Sequence, residues 1–129
     1  MTMENLKLLV VDDEIDVCNF LKSFFQMRGL DVITALNGDE ALAVLDKEKP
    51  DVVILDIMMR TENEGLEYLP RIKAALPTTN VMIVTAVVDE NVIETAKNLG
   101  AFDTIQKPLV LEYLETTVFN KVKDLHRVL

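Results

Sequence analysis

The sequence predicts an α/β fold built on one five-stranded parallel sheet, and two observations predict it. Strand-like and helix-like periodicities alternate from one end of the chain to the other, the pattern of successive β-α units. Three apolar runs, LKLLVV, VVIL and VMIV, are continuous rather than alternating, as in strands covered by helices on both faces. Half of the 129 residues are apolar, enough to bury one substantial core, so residues 1–129 are expected to form a single domain.

The elements follow in order. A first strand is expected over Lys7 to Val11 and a first helix over Ile15 to Arg28, with Val17, Leu21, Phe24 and Phe25 on its inner face and Gly29 at its end. The second strand, Asp31 to Ala35, leads to Asn37, a helix-capping residue with Glu40 three positions on, and a second helix to about Lys47. Pro50 stops that helix before a third strand, Asp51 to Asp56. The third helix falls between Gly65 and Leu76, and Pro70 inside the pattern predicts that it is irregular or begins late. A fourth strand, Asn80 to Thr85, precedes a helix capped by Asp89, lined by Val92, Ala96 and Leu99 and stopped by Gly100. A short fifth strand, Thr104 to Gln106, is followed by a helix from Val110 to Arg127, whose inward stripe is Leu111, Leu114, Val118, Val122 and Leu125.

Strand character predicts strand order. The first, third and fourth strands are nearly all Val, Ile and Leu, whereas the second and fifth mix in Asp, Thr and Gln and belong at the edges. The order 2-1-3-4-5 satisfies this, a flavodoxin-like doubly wound (βα)5 layout. Its chain direction reverses between strands 1 and 3, where ligands bind at the carboxyl ends.

Charge and composition narrow the function. Thirteen basic against 22 acidic residues give a net charge of -9, which argues against direct contact with nucleic acid or an anionic membrane. No apolar stretch approaches the roughly 18 to 20 residues of a membrane span, and MTMENLK lacks the marks of a signal peptide, so a cytoplasmic protein is expected. The single cysteine, Cys18, excludes an internal disulfide and lies in a helical core pattern, and the single histidine, His126, is far from any acidic cluster, so zinc is not expected.

The chemistry lies at the strand ends. Asp12 and Asp13 follow the first strand, Asp56 and Thr85 end the third and fourth, and Lys107-Pro108 follow the fifth. Three carboxylates on one rim repel one another unless a cation intervenes, and a hard dication such as magnesium suits an all-oxygen set. An aspartate can attack phosphorus to give an acyl phosphate, with Lys107 and Thr85 meeting phosphoryl oxygens.

These residues, in this order and across nearly the whole chain, resemble the receiver (CheY-like) domain of two-component response regulators. The resemblance implies that Asp56 is the phosphoacceptor, that Asp12, Asp13, Asp56 and the backbone carbonyl of Met58 hold Mg2+, and that Thr85 and Lys107 respond to the phosphoryl group. It implies a sensor histidine kinase or histidine phosphotransfer protein as donor, and catalysis only of the chain's own phosphorylation and dephosphorylation. It also implies a cis peptide before Pro108, and an output surface of helix 4, strand 5 and helix 5 that binds a downstream protein or a second copy. Asn91, Glu94, Asn98, Thr104 and Gln106 lie on that surface.

The chain departs from the family pattern at several positions. Arg60 replaces a usual proline in a loop one residue longer, predicting a looser or differently directed cover over the site. Thr104 stands where an aromatic residue is usual, and Phe102 is offset from it by two positions. Met58 and Val87 flank the path of an attacking water, and neither can orient it, which predicts slow loss of phosphate. A haloacid-dehalogenase-like phosphatase would need an acid/base carboxylate where Met58 stands, and a flavin or nucleotide binder would not place VDDEID at its phosphate loop. The remaining alternative is a pseudo-receiver, a protein-interaction module that signals without phosphorylation.

Overall fold

The computed structural model describes residues 6–86 and 89–127; Val87 and the side chain of His126 lie outside the described residues. Its five parallel strands, β1 (Lys7–Val11), β2 (Asp31–Ala35), β3 (Val52–Asp56), β4 (Asn80–Thr85) and β5 (Asp103–Gln106), stand in the order β2-β1-β3-β4-β5. The order is the one strand composition predicts. The period-2 alternation of a strand sends successive side chains to opposite faces, and because both faces are covered, nearly every residue of the inner strands is buried. Leu8, Val10, Val52, Ile54, Met82 and Val84 enter one apolar layer, and Leu9, Val11, Val53, Leu55, Val81 and Ile83 enter the other.

Helices α1 (Ile15–Gln26), α2 (Gly38–Glu48), α3 (Glu64–Ala75) and α4 (Glu90–Asn98) connect the five strands, and after β5 come α5 (Leu111–Tyr113), a π-helical turn (Leu114–Val118) and α6 (Phe119–Arg127). α1 buries Cys18, Leu21, Phe24 and Phe25, while Val17 is only half-buried. The Cys18 thiol donates to the Asp12 carbonyl at 3.2 Å, and burial, reinforced by the charge of Asp12, pushes its pKa up to about 11. It is a core residue, as its helical position predicts. Asn37 caps α2 by accepting from the Glu40 N–H at 2.9 Å, and the Glu40 carboxylate returns a bond to the N–H of Leu36 at 3.1 Å. α1 and α4 are followed by Gly29 and Gly100 at φ 89° and 106°, a conformation glycine adopts without strain.

Two expectations are corrected. Pro70 neither delays nor ends α3, because it lies on the solvent-facing side while Tyr68, Leu69 and Ile72 face inward. The group its missing N–H leaves without an intrahelical partner is the Leu66 carbonyl, four residues back. The last helix is not uniform, and Leu111, expected inside, is 53% exposed. Leu114, Val118 and Val122 are all buried at spacings of four. At 3.6 residues per turn such a series drifts round the helix, and the wider π turn, closed by the Phe119 N–H on the Leu114 carbonyl, absorbs the drift.

Candidate functional site

Register brings the chemistry together. Val11 pairs with Leu55, Asp56 with Val84, and Thr85 with Gln106, so Asp12, Asp56, Thr85 and Lys107 emerge at one level of the sheet. The level lies at the carboxyl edge, where chain direction reverses between β1 and β3. The Lys107 N–H donates to the Thr85 carbonyl at 2.8 Å, fixing the start of the last loop, and the Lys107–Pro108 peptide is cis.

Carboxylate oxygens of Asp12, Asp13 and Asp56 lie within 4.8 Å of one another. Asp12 and Asp56 are buried and Asp13 is exposed. The Lys107 ammonium sits between the two buried carboxylates, 2.9 Å from Asp56 Oδ2 and 3.2 Å from Asp12 Oδ2. The other Asp12 oxygen accepts the N–H of Glu14 at 2.9 Å, which orients the carboxylate at the start of α1. Burial raises the Asp56 pKa to about 6, opposed by the Lys107 hydrogen bond and reinforced by the charge of Asp12. Burial also works against the Lys107 charge, but the hydrogen bond to Asp56 and the nearby carboxylates more than offset it and raise the Lys107 pKa.

This donor set fits a hard dication. It consists of oxygens only, carries more negative than positive charge, and one member opens to solvent. The single cysteine, Cys18, is engaged with the Asp12 carbonyl and buried. Over the cluster opens a cavity of about 480 Å3 lined by Asp56, Met58, Glu62, Thr85, Ala86 and Lys107 among others. Met58 is 52% exposed there, an apolar side chain at the mouth of a polar site. Thr85, itself buried, also lines a second cavity of about 370 Å3 against α4 and β5, with Thr104, Phe102 and Tyr113. The small side chain of Thr104 leaves that space open, and Phe102 lies at it largely exposed.

The loop after β3 is where sequence reading fell short. It is not loose: the Ile57 N–H donates to the Val84 carbonyl, the Met59 N–H to Thr61, and the Gly65 N–H to Ile57. Arg60 places its guanidinium on Glu64, with Nη2 2.7 Å from Oε2 and Nε 3.0 Å from Oε1, and reaches Asp39 at 3.2 Å. Glu64 is nearly fully buried and also accepts the N–H of Gly38, at the start of α2, at 2.8 Å. Tyr68 donates its hydroxyl to Asp39. The Arg60 hydrogen bonds outweigh burial and hold Glu64 below the usual carboxylate range. The only signal in the sequence was an Arg and a Glu four residues apart, and nothing local tells that Gly38 completes the set.

Among the described residues, those predicted for the site gather at one rim: Asp12, Asp13 and Asp56 as a cluster, Lys107 inside it, Thr85 and Met58 on its cavity wall. Residues 8–119 match the family described as the response regulator receiver domain. The chain is 34% identical over 116 residues to sporulation initiation phosphotransferase F of Bacillus subtilis, covering 90% of this chain and 93% of that protein. It is 33% identical over 128 residues to transcriptional regulatory protein ZraR of Escherichia coli, covering 99% of this chain but 29% of ZraR. It therefore spans less than a third of that regulator. Among solved structures, a two-component response regulator from Clostridium difficile is similar with a TM-score of 0.86 at 28% identity, covering 96% of this chain and 98% of that one.

Proposed function

This chain belongs to the response regulator receiver domain family, and we propose that it is a phosphoacceptor that takes a phosphoryl group from a phosphohistidine onto Asp56. The observation that carries the reading is the Lys107 ammonium held between Asp56 and Asp12 beside a three-carboxylate cluster. Each charge has a task in phosphoryl transfer that a structural role would leave unexplained. In the transfer, a carboxylate oxygen of Asp56 bonds to phosphorus as the phosphorus–nitrogen bond breaks, and the imidazole leaves with a proton. With its pKa raised only to about 6, Asp56 is mostly ionised at neutral pH and able to attack.

Asp12, Asp13, Asp56 and the Met58 carbonyl would hold Mg2+, which supplies neutralisation of the charge gathered by the carboxylates and the phosphoryl oxygens. Lys107 is placed to exchange a carboxylate oxygen for a phosphoryl oxygen. Thr85 lines both the site cavity and the cavity against α4 and β5, so a phosphoryl group drawing its hydroxyl would act on both. The face of α4, β5 and the last helix is then the surface offered to a downstream protein or a second copy. The chain's own chemistry is confined to gaining and losing that phosphoryl group, in the cytoplasm, with a histidine kinase or phosphotransfer protein as donor. Several relatives are transcriptional regulatory proteins; the acidity of this chain alone supports the reading that this stretch does not itself touch nucleic acid.

Acetyl phosphate or phosphoramidate with Mg2+ is expected to add a mass of about 80 Da, that of one phosphoryl group, to the wild type and none to Asp56→Ala. No adduct from any donor would favour the interaction-module reading instead. Met58 gives a second expectation, because an exposed thioether at the cavity mouth cannot orient an attacking water. The phosphorylated protein should lose label over minutes or longer, and Met58→Asn should shorten its lifetime about tenfold, less than a full general base contributes. Loss within seconds in the wild type would overturn this.

A further inference from the structure

The Arg60 fork lies outside the carboxylate cluster, yet it bears on it through the loop between Asp56 and α3. Glu64 accepts from four N–H groups: Oε1 takes the Arg60 backbone N–H at 2.8 Å and its Nε at 3.0 Å, while Oε2 takes Gly38 at 2.8 Å and Arg60 Nη2 at 2.7 Å and shares the Nε at 3.1 Å. One buried carboxylate thereby ties the loop to the start of α2, an element that contributes nothing to the phosphoryl site itself. Upstream, Ile57 is fixed to Val84 through its N–H and to Gly65 through its carbonyl. Only Met58 and Met59 lie between these two anchors. The Met59 N–H, which shares a peptide plane with the Met58 carbonyl, donates to Thr61 at 3.1 Å. In a trans peptide the carbonyl points opposite to that N–H, so fixing one fixes the other.

We propose that Arg60 and Glu64, with Asp39 on the outer arm, are positioning residues that preset the Met58 carbonyl for a divalent cation. The inference rests on the proposed magnesium site. Ordering the loop before the ion arrives spares that cost at binding, and groups that orient metal ligands change affinity by about 10- to 100-fold when removed. Lysine cannot replace Arg60, since a single ammonium cannot bond both carboxylate oxygens and Asp39 in a fixed plane.

Magnesium alone is titrated into the full chain by calorimetry and by the backbone NMR shifts of Ile57 to Met59. Arg60→Met is expected to weaken Mg2+ binding about tenfold, with no rescue in Arg60→Lys. Its phosphorylation by phosphoramidate should be slow at limiting Mg2+ and return to the wild-type rate at saturating Mg2+, a split that loss of stability alone would not produce. Asp39→Asn removes the charge of an exposed partner shared by Arg60 and Tyr68 while leaving the Arg60–Glu64 fork in place, and is expected to weaken binding about threefold, less than the roughly 10- to 100-fold of groups bonded directly to a ligand, so a failure of Arg60→Met to fold leaves a deciding variant. Wild-type Mg2+ affinity in either folded variant would overturn the inference. A wild type that binds no Mg2+ would instead overturn the site on which it rests.

Discussion

Gly65→Ala is expected to destabilise the protein by about 3 kcal/mol, the upper range for forcing extra atoms into a packed interior, and to slow phosphoryl acceptance. A Cβ at residue 65 would lie 2.2 Å from the Asp56 carbonyl oxygen and 2.6 Å from the Ile57 Cα. Both neighbours are backbone, so no side-chain rotation can make room. Relief requires α3 to move away from β3, which breaks the Gly65 N–H bond to the Ile57 carbonyl at 2.8 Å and shifts the strand end that carries Asp56. Stability and reactivity should therefore fall together, read by urea denaturation and by the rate of adduct formation. A variant with wild-type values of both would show that the loop yields without moving Asp56.

Asp56→Asn is expected to have the opposite effect on stability while abolishing phosphoryl acceptance. The carboxyl pKa rises from 3.8 to about 6 on folding, chiefly through burial. The folded state therefore binds this proton more tightly than the unfolded state does, and stability contributed by the group falls as pH rises from about 4 to about 6. Above that range the buried charge is a constant cost, and below about 4 both states are protonated and the cost is gone. Two pKa units correspond to roughly 3 kcal/mol; partial solvent access and the loss of one Lys107 partner reduce the expected gain to about 1–2 kcal/mol at pH 7. Denaturation in EDTA should show the variant more stable at pH 7 and equal to the wild type near pH 4. Mg2+ should narrow the difference at pH 7, because the wild type keeps the ligand that the variant lacks. A variant less stable than the wild type at pH 7 in EDTA would mean that Lys107 recovers more from Asp56 than burial costs.

Much of this was legible without coordinates because strands end where an apolar run meets a charge. Val11–Asp12 and Leu55–Asp56 mark the ends of the inner strands, and composition alone ranks β1, β3 and β4 as inner and β2 and β5 as edge. Once that order is set, the switch point and its three carboxylates follow. Leu111 was misjudged because period locates a helix but not whether a residue at its margin faces water or core, and Pro70 because composition does not tell that a mid-helix proline sits on the exposed side of α3. The π turn at Leu114–Val118 was equally hidden, since buried residues spaced by four also fit an ordinary helix over so short a span. The substitution of Arg60 for a proline reads locally as a loop that is looser or differently directed, and the side chain ties that loop down through Glu64 and Asp39.

The amino-acid sequence by itself determined the β-α alternation, the strand order and the set of groups delivered to the rim, because these depend on periodicities of two and 3.6 and on where each apolar run stops. Tertiary structure alone decided which of those groups meet. Lys107 reaches Asp56 across 51 positions through the register of β3, β4 and β5, and Gly38 meets Glu64 across 26 through the packing of α2 beside α3. Local sequence carries no measure of that packing. The same holds for Asp56, whose raised pKa comes first from its burial at the carboxyl edge of the sheet.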